Sequence, residues 1–245
     1  MKARYLHAIQ PLLAAGMFWG LAAVSQASVV YTNNFESGQG SGITACAACG
    51  VTTTTIVHGD ATVDGNQVWQ DYATGNPAAA TTLTLTGLAP NQDLALEFTF
   101  LAIDTWDGTT WSCCIPDLMN VNLNSNSIFQ QPFRNFALGT SPEYPGNPYP
   151  NPPAGTTVTL LNADGTTSVY DITITGLSAD SSGNAVFDFF ASGAGWQGGG
   201  DESVGLDNLS VTSNTTGIPE PGPAALLLSG LALMLPGVRR GLRRR

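Results

Sequence analysis

The sequence predicts an all-β body, a jelly-roll-like two-sheet β-sandwich, with an N-terminal signal helix and a C-terminal transmembrane helix at its two ends. Three observations predict it. Of the 245 residues, 11% are charged and 43% hydrophobic, with Gly, Thr, Ser and Asn filling the difference; such a composition suits strands and turns better than surface helices built on Glu, Lys and Arg. Apolar and polar residues alternate at period two in one stretch after another. Turn dipeptides separate those stretches, and no segment between the two ends carries a helical period.

The N-terminus reads as a signal peptide over residues 1–27. Lys2 and Arg4 form its positive start, Leu12 to Val24 its apolar stretch, and Ser25-Gln26-Ala27 places small residues for cleavage before Ser28. The body, 28–214, opens with a strand over Val29–Phe35, followed by candidates at Val51–Val57 and Gln67–Tyr72. Leu83 and Leu85 alternate with threonines. Leu94, Leu96, Phe98 and Phe100 alternate with Ala95, Glu97 and Thr99. Further strands are expected at Leu118–Leu123, Thr156–Leu161, around Tyr170, Ile172 and Ile174, at Ala185–Phe190 and at Val204–Val211. Turns are expected at Asp64-Gly65, Asp107-Gly108, Asp164-Gly165 and Ser182-Gly183, the third closing a hairpin over 156–175. Two loops interrupt the pattern: the proline-rich 141–153, and the glycine-rich 193–200 around Trp196. In the last strand Val204 and Leu206 share one parity while Leu209 and Val211 take the other, a slip that suits a β-bulge at Asp207-Asn208.

Charge is sorted along the chain. Seventeen of the eighteen acids fall between Glu36 and Asp207, where Arg134 is the only base. Such a field repels phosphate backbones and excludes nucleic acid as a partner. With no lysine after Lys2, Schiff-base and P-loop lysine chemistry are excluded too.

The C-terminal residues 215–245 hold Pro219-Glu220-Pro221, an apolar run from Pro223 to Val238, and a basic end, Arg-Arg-Gly-Leu-Arg-Arg-Arg. As a helix the run is about 24 Å long, short of the roughly 30 Å hydrocarbon core, and makes a marginal anchor helped by snorkelling arginines. The arginines hold that end in the cytoplasm, so a body behind a signal peptide lies outside the inner membrane. The three parts in this order, over 218–245, resemble the PEP-CTERM sorting signal of exported Gram-negative bacterial proteins. That resemblance implies recognition at Pro219, Glu220 and Pro221 by an exosortase, transient anchoring in the inner membrane, removal of the tail, and delivery to the cell surface or an exopolysaccharide matrix.

A second resemblance lies at the ends of the body. Asn34-Phe35-Glu36 and Gly205-Leu206-Asp207-Asn208-Leu209-Ser210-Val211 resemble the flanking strands of jelly-roll domains in the carbohydrate-binding and concanavalin-like groups. It implies adjacent first and last strands and a calcium ion near Glu36 and Asp207. The residues give a second set of calcium ligands, Asp104, Asp107, Asp201 and Glu202. These acids cluster on two loops with almost no bases to offset them, and calcium takes six to eight oxygens from such groups. Asp117, after Pro116, is a neighbouring acid. The bland alternative for each is a solvated acidic surface.

Trp106, Trp111 and Trp196 sit in loops, where exposed rings would stack on sugars, joined by Tyr144 and Tyr149 of the proline loop; with Trp69 they equally suit caps on a sandwich core. Cys46, Cys49, Cys113 and Cys114 read as two disulfides in an exported chain, with cross-links between the two pairs favoured because adjacent cysteines bond poorly to each other. Zinc is disfavoured by the lack of a second Cys-x-x-Cys, and a redox role by the lack of a βαβ setting. His58 is the body's one histidine and reads as a surface residue closing a strand; nothing marks partners for a triad. The expectation is therefore an exported, non-catalytic surface or matrix protein that binds polysaccharide. Its rivals are a glycan hydrolase pairing Asp104 with Glu202, and a purely structural matrix protein.

Overall fold

Alternation and turn signals become strands in the computed structural model, which describes residues 26–46, 48–53, 67–108, 116–134, 154–163 and 167–215. In chain order these are β1 (Gln26–Asn33), β2 (Ile43–Thr44), β3 (Cys49–Thr53), β4 (Gln67–Asp71), β5 (Thr81–Leu85), β6 (Asp93–Asp104), β7 (Leu118–Leu123), β8 (Asn126–Pro132), β9 (Thr156–Ala163), β10 (Thr167–Ser178), β11 (Ala185–Ser192) and β12 (Glu202–Thr215). Two of them carry no strand signal in the sequence. β2 is a two-residue pairing with β5. β8 reads as a polar stretch, yet it pairs with β7 because Asn124 and Ser125 both take positive φ, 49° and 66°. That is the two-residue turn whose twist matches a hairpin.

The strands make two antiparallel sheets, a sandwich. One runs β3-β4-β12-β6-β10-β9 with β1 added on β12; the other runs β2-β5-β11-β7-β8. β12 organises the larger sheet. One of its edges follows β6; the other is shared, with β4 pairing to 204–206 and β1 to 209–215. The first strand therefore lies against the last. Between those partners the register to β6 slips at Asp207-Asn208, and Asn208 has φ 48°. The slip is the expected bulge. It turns Val204 and Leu206, and then Leu209 and Val211, into one core despite their opposite parity.

The inward faces supply that core. Phe98 of β6 meets Phe189 of β11 edge-on across the layers, ring centres 5.4 Å apart. One end of the sandwich is plugged by Phe100, Trp106, Phe133, Tyr170 and Trp196, in contacts of 4.7–6.4 Å. Among the described residues no helix is long and apolar enough to cross a membrane. The expected signal peptide (Gln26 and Ala27 excepted), the sorting motif Pro219-Glu220-Pro221 with its membrane helix, His58, Trp111, Cys113, Cys114, Tyr144 and Tyr149 lie outside the described residues.

Candidate functional site

Two regions concentrate polar side chains for different physical reasons. The first is the outer face of the five-stranded sheet. Because side chains alternate, each strand that buries apolar residues inward presents polar ones outward. In β7, Met119 and Val121 point to the core, leaving Asn120 and Asn122 outside; in β11, Phe187 and Phe189 point inward, leaving Asp188 and Phe190. Register aligns them into rows. Thr44, Thr82, Asp188, Asn122 and Ser127 form one row across all five strands, and Phe190, Asn120 and Gln130 the next. The groups lock one another. The Asn120 amide donates to Leu118 O, Phe190 O and Ser192 Oγ and accepts from Gln130 Nε2 at 2.8 Å, while Thr82 Oγ1 donates to Asp188 Oδ1 at 2.7 Å. Phe190 is partly exposed and packs in neither hydrophobic cluster of buried residues.

The second region is at the aromatic-plugged end. Asp107 follows β6, Asp117 precedes β7 and Glu202 opens β12; one carboxylate oxygen of each lies within 4.8 Å of the others. All three are buried, Asp117 and Glu202 completely (0% exposed). Asp117 Oδ2 accepts the Asp107 backbone N–H, and Glu202 Oε2 accepts those of Gln197 (2.8 Å) and Gly198. Asp117 Oδ1 and Glu202 Oε1 are buried with no hydrogen-bond partner. Burial, and then the other carboxylates, push Asp117 up to about 8 and Glu202 up to about 7, against backbone N–H groups that pull the other way. Asp107 is raised by burial and by Asp201, and lowered by Arg134. At the rim Asp104 and Asp201 are exposed; Asp104 is raised by burial and by Asp201, and Asp201 accepts from Thr105.

The structure corrects two expectations. Trp106 (0% exposed) and Trp196 (6%) are not stacking platforms. Each packs edge-on against the other at 5.3 Å, and Trp106 Nε1 donates to Ser203 O at 3.0 Å. Trp69 is buried as well, donating to Thr81 Oγ1. A sandwich end needs large plugs, and loop position alone does not reveal that the loop folds inward. The cysteines do not cross-link the two pairs either. Cys46 bonds Cys49, whose Cα atoms are 5.1 Å apart within one turn. Both sulfurs are thus spent, so Asp71, 3.4 Å from Cys46 Sγ, gains neither a thiol donor nor thiolate co-ligands. Its burial, chiefly, raises it to about 6, against the Ala73 N–H and Thr81.

Of the expected calcium ligands, the fold brings Asp107 and Glu202 together, leaves Asp104 and Asp201 at the rim, and adds Asp117. Glu36 and Asp207 do not belong to this group: Glu36 accepts the Gln67 N–H at 2.9 Å, and Asp207, fully buried, accepts that of Asn208 at 2.7 Å. The signal for Asp117 was an acid set directly against an apolar strand. The signal for the sheet face was Met119-Asn120-Val121-Asn122-Leu123, read for its polar parity rather than its apolar one.

No protein-family model matches the sequence, and no curated protein matches it. Among solved structures the chain is similar to the CBM22-1 xylan-binding domain of Paenibacillus barcinonensis Xyn10C, at 12% identity and TM-score 0.41, covering 78% of this chain and 98% of that one. It is similar also to the tandem CBM22-1–CBM22-2 domain of the same protein (12%, TM-score 0.42, 83% and 50%) and to the arabinose-bound MgGH51 α-L-arabinofuranosidase (10%, 0.35, 71% and 23%). The chain spans half of the tandem and under a quarter of the arabinofuranosidase. These values assign it to no family.

Proposed function

We propose that the chain is an exported, non-catalytic surface or matrix module whose five-stranded sheet binds neutral polysaccharide on its outer face. The observation that carries this reading is the pair of polar rows around Phe190. Within them Thr82 is tied to Asp188, and Asn120 to Gln130 and Ser192, so those side chains have little entropy left to lose on binding. Alternating donors and acceptors suit sugar hydroxyls, and Phe190 supplies an apolar surface among them. The same face continues across five strands, a length that fits a chain molecule rather than a small pocket ligand. Hydrolysis is disfavoured because Glu202, the acid it would use with Asp104, is sealed from solvent. Export rests on the signal peptide and the exosortase-type tail: the tail anchors the chain in the inner membrane until Pro219-Glu220-Pro221 is processed.

Affinity electrophoresis through soluble neutral glycans (a xylan, a β-glucan and a galactomannan) tests the binding. Retardation by at least one is expected, and Phe190→Ala should weaken it about tenfold while moving the melting temperature little, since that ring lies outside the core clusters. Leu160→Ala, an exposed apolar change on β9, should alter nothing. Retardation by none, or a Phe190→Ala variant that binds like wild type, would leave the purely structural role. Cell fractionation tests the sorting: alanines at Pro219 and Glu220 should hold the unprocessed chain in the inner membrane.

A further inference from the structure

We propose that Asp107, Asp117 and Glu202 form a buried site for one calcium ion, which ties the start of β7 to the end of β6 and the start of β12 and so joins the two sheets at this end. Three buried carboxylates at this spacing are not stable as an all-charged set in a low-dielectric interior. Either protons or a cation must offset them, and Arg134 does not suffice. One guanidinium cannot offset three carboxylates.

Two features favour the cation. Asp117 Oδ1 and Glu202 Oε1 are fully buried and unpartnered, although each residue's other oxygen is met by backbone N–H groups. The spacing fits as well. Two oxygens on opposite sides of a calcium ion are about 4.8 Å apart at a bond length of about 2.4 Å, and the three carboxylates reach one another within 4.8 Å. The donor set is all oxygen without histidine or thiolate, which selects a hard cation over zinc; magnesium keeps several waters and is poorly served by a sealed site. The rim acids Asp104 and Asp201 add a field that draws a cation to this end.

The test uses the full chain stripped with EGTA and titrated with calcium alone. Calorimetry should show binding at this site, calcium should raise the melting temperature, and terbium excited through Trp106, one residue from Asp107, should luminesce until calcium displaces it. Asp117→Asn and Glu202→Gln should each weaken calcium about tenfold or more. Both should leave the calcium-free protein at least as stable as wild type, because each removes a buried charge and keeps an acceptor. Glu36→Gln and Asp207→Asn should leave terbium at Trp106 unchanged. Absence of calcium binding by wild type overturns the proposal. So does wild-type affinity in both the Asp117 and the Glu202 variants, which would place the ion elsewhere.

Discussion

Between residues 117 and 122 the chain passes from a sealed carboxylate to the polar rows of the sheet face. Asp117 is fully buried beside two other acids; in β7, which follows it, the buried Asn120 and the half-buried Asn122 lie on the outer face of the sheet. Both regions are dense in oxygen and nitrogen, but they solve different problems. On the sheet face amides and hydroxyls satisfy one another and the single acid Asp188, and most of the row meets solvent. At the aromatic end like charges are withdrawn from water and stay short of partners. Acidity is therefore a poor guide to which surface meets a large ligand. Exposure decides that, and exposure follows from strand parity and from how the loops fold.

If the two regions are independent, damage to one should spare the other. The largest effect is expected from Gly193→Ala. Gly193 has φ 123°, and a Cβ there would stand 1.9 Å from Pro116 O, a backbone atom beside Asp117. The loop must shift off that carbonyl at a cost of about 4 kcal/mol or more. Thermal unfolding should show the loss, and whatever protein still folds should retain its glycan retardation; joint loss would merge the regions. Next is Trp106→Ala, which opens a cavity among Phe100, Phe133 and Trp196 and should cost about 3–5 kcal/mol in denaturant unfolding.

Asp71 supplies the contrast of a buried acid outside the carboxylate group. Its folded pKa, raised to about 6, lies above the ordinary range, so the protonated form is favoured in the native state. The associated stability is whole below the ordinary carboxylate pKa and is lost as pH rises through about 6. Asp71→Asn should match wild type near pH 4 and exceed it by about 2–3 kcal/mol near pH 7.5. A constant difference between the two pH values would show that burial does not act on this acid. The smallest effect sharpens the neutral side. Gln130→Ala removes one amide from an exposed edge position, and should weaken glycan binding about threefold with stability changed by less than about 0.5 kcal/mol.

How far these regions were readable from the sequence differs with the range of the interactions. The bulge at Asp207-Asn208 was legible because a parity change is a local mark. β8 was not, because Ser127, Gln130, Gln131 and Pro132 carry no alternation and the strand exists through its turn and its neighbour. The Cys46–Cys49 bond was open to view as a Cys-x-x-Cys spacing, but the same spacing admits other partners until the turn is known. Asp107 and Glu202 could be suspected from their loops. Asp117 could not be placed with them, since nothing local to it marks its approach to Asp107 and Glu202.

By itself, the sequence determined the strand-rich body and most strand positions, because composition and alternation act within a few residues. Tertiary structure alone decided which tryptophans were sealed, which acids met, and that Thr44, Thr82, Asp188, Asn122 and Ser127 share one row. Those outcomes depend on register and on packing between distant strands, and a one-residue slip in register would have sent each side chain to the opposite face.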